Sequence, residues 1–312
     1  MFDLPFTTER TLHINKPMDE VFNLVSDFNT WRSWSPWLCQ EPECPVQITA
    51  AANTIGHAQA WNGERIGQGE MRLTATAPDH LEYDLHFLKP WKSHSRVTFK
   101  FTPQDDGVTV VWSMRGTVPI FLFFLRNMMS AWIGSDYTRG LAMLKEYAET
   151  GKVLSRVEVK GEVERDSFHY LGRHRKCAIA DIGPGMQTDF ESLADLEKQN
   201  KLPAPDFFLS FAHQFNFVKG ECEYTAAYGY RNAPEHQASD LEKGMIPQHQ
   251  AQQVDHFGAY HHLGNAWSTL IGYQKHNKKK PSKRIPKYEV YVTLPDSDTE
   301  ENLHTQLYAP FR

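Results

Sequence analysis

KYEVYVT, residues 287–293, alternates as a β-strand does and carries one acid, Glu289, in its middle. Successive strand side chains point to opposite faces, so Tyr288, Val290 and Val292 share one face and Glu289, Tyr291 and Thr293 the other. Enclosing an unpaired carboxylate is expensive. The acid therefore belongs either to an exposed edge or to a site that uses it.

A related stretch, FFLSFAH (207–213), lies about 80 residues upstream, and YTAAYGYR (224–231) stands to HTQLYAPF (304–311) at a similar offset. Further upstream YLGRHR (170–175) matches HFGAYH (256–261), and DIGPGMQTDFESLADL matches HLGNAWSTLIGYQ. Each copy reads strand, helix, strand, strand, with the helix opening after Gly183-Pro184 in one and Gly264-Asn265 in the other. Two such units side by side predict a pseudo-twofold axis with a cleft between them. The alignment sets Leu209 against Glu289, Phe208 against Tyr288 and Phe211 against Tyr291. On this alignment the fold itself does not demand the charge.

The first half has another texture. ERTLHIN (9–15) alternates as a strand, and Pro17 opens a helix with Val21, Leu24, Val25 and Phe28 on one face. HAQAWN, GQGEMRLTATA, LEYDLHFL, HSRVTFKFT and VTVVWSMRG follow as a meander, and a final helix is predicted from Pro119 to about residue 148. With PMDEVFNLVSDFNTWRSWSPW, LHFLKPW and GLAMLKEYA as the carrying stretches, residues 9–149 resemble the SRPBCC superfamily, the START and polyketide-cyclase-like helix-grip domains. That resemblance implies a curved sheet gripping a long helix around a cavity. Trp34, Trp37, Trp61, Phe87, Trp91 and Trp112 are read first as core and second as cavity lining. Glu64, Glu70, His86 and Arg115 are read as solvent-facing. GKVLSRVEVKGEVERD (151–166) reads as a connector passing into a first strand.

YLGRHRKCAIADIGPGM, FGAYHHLGNAW and YEVYVTLPDSDTEENLHTQLYAPF make residues 156–312 resemble the GyrI-like effector-binding domain. The expected fold class is therefore α+β, with a helix-grip domain over 1–150 and a duplicated effector-binding domain over 156–312. The resemblance implies a cleft in which Glu289, with Tyr291 beside it, meets amphipathic or cationic organic molecules. Tyr224, Tyr228 and Tyr230, which share a strand face, and Tyr308 are candidate walls; Trp267 closes one side, and Tyr170 and Phe208 complete the ligand-binding set. For each of these aromatics a core role stands beside the pocket role. Some relatives hydrolyse cyclopropane-bearing natural products, which implies an alternative with Glu289 as base and Tyr291 as acid. A protein-interaction role, as in gyrase inhibition, is a third. The resemblance brings no helix-turn-helix, so direct DNA binding is not expected.

A formal net charge of −5 gives no general attraction to nucleic acid or anionic membrane. The apolar run PIFLFFL (119–125) is too short to span a bilayer, and MFDLPFTTER lacks the features of a signal peptide. The four cysteines, Cys39, Cys44, Cys177 and Cys222, suit a reducing cytoplasm, and Cys39 and Cys44 lack a second ligand pair for zinc. KHNKKKPSKR (275–284) reads as a solvated loop, DSDTEE (296–301) as a polar loop lacking calcium-ligand spacing, and IGPG (182–185) as no dinucleotide fingerprint. Histidines are scattered, and neither a metal nor a cofactor is expected.

Overall fold

The computed structural model describes residues 3–90, 92–295 and 298–312. Trp91, one of the core or cavity candidates, and the first two residues of DSDTEE lie outside them. The chain divides into two compact units, Met1–Val153 and Leu154–Arg312. Among the described residues no helix is long and apolar enough to cross a membrane.

The first unit runs β1 (Asp3–Ile14), α1 (Met18–Ser26), β2 (Val46–Thr49), β3 (Ala58–Asn62), β4 (Gln68–Ala77), β5 (His80–Lys89), β6 (Ser93–Gln104), β7 (Gly107–Pro119) and α2 (Arg126–Thr150). Its seven strands form one antiparallel sheet in the order β1-β7-β6-β5-β4-β3-β2. Alternate residues of β4 to β7, such as Leu73, Tyr83, Val97, Phe99, Val110 and Trp112, are buried against α1 and α2. The meander falls where alternation placed it, but the last helix does not start at Pro119. There β7 ends, paired with Asp3, and a 3-10 turn, Ile120–Leu125, precedes α2. Proline lacks an N–H, which a strand end tolerates as well as a helix start does.

The second unit runs β8 (Ser155–Arg165), β9 (Phe168–Ala178), α3 (Ile182–Lys198), β10 (Phe207–Asn216), β11 (Glu221–Tyr230), β12 (Glu242–Ile246), β13 (His249–Gly258), α4 (Leu263–His276), β14 (Lys287–Tyr291) and β15 (His304–Pro310). The eight strands lie in the order β12-β9-β11-β10-β14-β15-β13-β8. Copy one (β9, α3, β10, β11) and copy two (β13, α4, β14, β15) thus mirror each other about the central β10–β14 pair. Each copy is flanked by the strand that precedes the other: β12 pairs with β9, and β8 pairs with β13.

Three sequence expectations are corrected here. The connector shrinks to the first few residues of 151–166 and the rest is the expected strand, β8, in which Val157 and Val159 pack on the helix-covered face and Val163, beyond a register shift, on the other. HFGAYH does not correspond to YLGRHR; it ends β13 and enters the turn before α4. Glu289 lies opposite Ser210, and Leu209 lies opposite Val290. Both helices pack on one face of the sheet, so the pseudo-twofold axis runs through the sheet and preserves faces. Leu209 points to the other face, so it is not the counterpart of Glu289; a slip of one residue in the alignment reverses every side chain.

Candidate functional site

The sheet of the second unit has two unlike faces. The face away from the helices carries Phe168, Leu209, Phe211, Tyr288, Val290 and Tyr308 as one apolar cluster. On the other face α3 covers Leu171, Tyr228 and Tyr230, and α4 covers Val254 and Leu307. Glu289 belongs to this helix-covered face, on the central strand pair.

Glu289 is 6% exposed. Its Oε1 accepts from the Tyr291 hydroxyl at 2.5 Å and from Ser210 Oγ at 3.0 Å. Its Oε2 accepts from Trp267 Nε1 at 3.0 Å. Rings surround this cluster: Phe190 and Tyr260 stand edge-on to Tyr291 at 5.7 and 5.6 Å, and Phe208 lies opposite Tyr291 in the strand register. The Tyr260 hydroxyl donates to the Thr293 carbonyl at 2.9 Å. Burial pushes the Glu289 pKa up, and the three donors, which favour the ionised form, offset this only in part. Burial and the neighbouring carboxylate raise the Tyr291 pKa well above its ordinary value, and burial with the same carboxylate raises that of Tyr260. All three groups that touch the acid are neutral donors. The site is a hydrogen-bonded carboxylate, walled by aromatic edges, that makes no ion pair among the described residues, although Lys287 stands two positions away on the same strand face.

Of the residues singled out in the sequence, Glu289, Tyr291, Trp267 and Phe208 come together. Tyr228 stands one ring away, edge-on to Phe208 at 5.2 Å. Tyr224 is directed to α3, its hydroxyl donating to Asp189 at 3.0 Å, and Tyr230 donates to the Pro203 carbonyl. Tyr308 and Tyr170 are on the opposite face and do not wall this site. Tyr308 stacks on Tyr288 at 4.9 Å, while Tyr170 packs on Phe211 and donates to Glu242. Strand parity within β15, applied to the register with Glu289, would have shown this for Tyr308. Ser210, Tyr260 and Phe190 were not anticipated. Ser210 was hidden by the slipped alignment, and the other two by their place in a turn and a helix, where strand parity has no reach. Replacing Tyr308 by Phe is accordingly expected to change the affinity of a site ligand by less than about twofold, measured by fluorescence titration.

The first unit holds a cavity of about 60 Å³ lined by Trp31, Trp37, Trp61, Met71, Phe87, Trp112 and Tyr137, among others. Trp37, Trp61, Phe87 and Trp112 are thus both core and lining, whereas Trp34 is wholly buried core. Gln59 adds one polar group, 6% exposed, whose buried Oε1 has no hydrogen-bond partner. Cys39 and Cys44 are free thiols, and burial raises Cys39 to about 11.

Comparison with known proteins agrees with this division. Residues 5–149 match the family model described as polyketide cyclase / dehydrase and lipid transport, and residues 162–312 match the GyrI-like small molecule binding domain. No curated protein matches the chain. Among solved structures, the protein TTHA0849 from Thermus thermophilus is 17% identical, with 47% of this chain and 99% of that one covered and a TM-score of 0.37. The Aha1 dimer of Colwellia psychrerythraea is 14% identical over 47% and 98%, at a TM-score of 0.35. A complex of EcmrR with DNA is 16% identical over 61% and 68%, at 0.37. The chain therefore joins a helix-grip domain of the polyketide cyclase/dehydrase and lipid-transport family to a GyrI-like small-molecule-binding domain.

Proposed function

We propose that the second unit binds a small amphipathic organic cation at Glu289, as a sensor, sequestering agent or detoxifying protein. The observation that carries this is the enclosed carboxylate, held by three neutral donors and in no ion pair among the described residues. Such a group is poorly solvated, and a positive guest supplies the missing countercharge. Phe190, Phe208, Tyr260 and Trp267 add ring faces and edges, and a cation over a ring gains about 0.5–2 kcal/mol. Flat rings accept many shapes, so breadth of ligand is expected rather than fine selectivity.

The test compares a cationic fluorescent dye with its neutral isostere on wild type and on Glu289→Gln. The reading requires that wild type prefer the cation and that the variant lose the preference. Equal discrimination by both proteins would refute it. Affinity should also depend on pH with a definite sign. Glu289 has a raised pKa, so below that value it is protonated and offers no charge. Cation affinity should rise with pH as the carboxyl ionises and should be flat for Glu289→Gln.

A second reading, hydrolysis of a reactive small molecule, is favoured by the 2.5 Å contact between two groups of raised pKa, Tyr291 and Glu289. A carboxylate so placed can take a proton from water while a phenol donates one to the leaving atom. Under this reading Tyr291→Phe should abolish turnover of a cyclopropane-bearing electrophile, followed by product chromatography, while dye binding survives. Unchanged turnover in that variant would remove Tyr291 from the chemistry.

A further inference from the structure

The face of the second sheet away from the helices carries another cluster. His174 (β9), His213 (β10) and Glu242 (β12) offer ligand atoms that all lie within 4.8 Å of one another. These residues stand far apart in the sequence; antiparallel pairing of β12 and β11 with β9, and of β11 with β10, gathers them.

Several features go beyond proximity. The β10–β11 ladder shifts register between Ala212 and Gln214, so His213 sits in a bulge. Bulges re-aim side chains, and this one brings His213 Nε2 to 2.7 Å from Thr225 Oγ1. The same hydroxyl lies 2.8 Å from Glu242 Oε2 and 3.3 Å from His174 Nδ1, so all three candidate ligands converge on one point. Their outward-facing atoms are held as well. His174 Nε2 is 3.2 Å from Glu223 Oε1, and Glu242 Oε1 accepts from Tyr170 at 3.1 Å. Carboxylate-to-histidine pairing of this kind orients imidazole ligands and raises their basicity.

We propose that His174, His213 and Glu242 form a binding site for a divalent transition-metal ion of zinc's class, oriented by Glu223 and Tyr170. Two imidazoles and a carboxylate suit such an ion and leave a fourth position for water or another ligand. Ligand atoms around a tetrahedral ion stand roughly 3.3 Å apart. The His174 Nδ1 to Glu242 Oε2 separation is 3.4 Å, so little rearrangement is needed on that side. Scattered histidines in the sequence hid this, since each ligand comes from a different strand. The site lies across the sheet from Glu289, and its occupancy is independent of the cation-binding reading.

The test titrates the metal-stripped full chain with Co²⁺, read by its visible absorption, and with Zn²⁺ in competition. One equivalent should bind, with absorption of a low-coordinate nitrogen–oxygen site. His213→Gln should weaken binding at least tenfold, and Glu223→Gln about 10–100-fold. Glu242→Gln, nearly isosteric, serves if His213→Gln misfolds, with circular dichroism as the fold check. Asp84, His86 and His94 form a second candidate set, in the first unit. His86→Gln with His94→Gln should leave the titration unchanged. If no stoichiometric binding occurs, the cluster is only a hydrogen-bond network centred on Thr225. That result, or binding that follows the His86 and His94 pair, would overturn the assignment.

Discussion

Glu289→Gln is expected to weaken a cationic dye by roughly 5- to 150-fold, about 1–3 kcal/mol, and to leave its neutral isostere nearly unaffected. The amide keeps the shape of the carboxyl: its single oxygen can accept from Trp267 Nε1 while its NH2 donates to the Tyr291 and Ser210 hydroxyls, which can also accept, so the main loss is charge. The same variant should have an opposite effect on stability. A carboxyl whose folded pKa lies above the ordinary 4.5 binds more protons when folded than when unfolded, over the range between the two values. Stability from this group is then fully present below 4.5 and is lost as pH rises through the folded pKa. Glu289→Gln does not titrate, so thermal melts should show it gaining on wild type as pH increases and converging with it in acid. A variant that lost both affinity and stability at neutral pH would mean that the charge is structural. Improved stability with poorer binding is the pattern of a site whose cost is retained for function.

Trp112→Ala should be the most damaging single change in the first unit, costing about 3–5 kcal/mol. The indole is 1% exposed, stacks on Tyr137 at 4.0 Å and on Phe99 at 4.8 Å, and meets Trp31, Trp34 and Trp37 edge-on. Strand, helix and loop all close on this ring, so no single neighbour can move into the space it leaves. Truncation also enlarges a cavity that the ring already borders. Urea unfolding of the full chain, followed by hydrogen exchange in β6 and β7, would read the loss in that unit directly. A change below about 1 kcal/mol would show that the neighbouring rings collapse into the gap, as a yielding core does.

Periodicity made much of this molecule legible. Strand alternation placed β3 to β7 almost residue for residue, and the repeated order of elements in the second half survives in the sheet. Glu289 stands out because an acid within an apolar strand conflicts with burial; Tyr291 joins it through the family resemblance, and Trp267 through its place near the start of the second helix. The failures have physical causes. Sheet register is set by partners distant in sequence, so an alignment wrong by one residue concealed Ser210 and put Leu209 in its place. Tyr308 and Tyr170 were attached to the cleft by their type, although the pleat sends them to the other face. Pro119 is compatible with both a strand end and a helix start, and only its pairing with Asp3 decides between them. His213 was beyond reach, because a bulge depends on a neighbour that the local sequence does not reveal.

The crossing of β8 and β12 binds the duplication together. Each copy borrows its outermost strand from its twin, so neither half is a self-sufficient fold, and excising one would bare two ladders. The β8–β13 ladder joins residues such as Val157 and His256, nearly a hundred positions apart. Contacts of such long sequence separation are slow to form. Assembly of the second domain must therefore wait until almost its whole length is available.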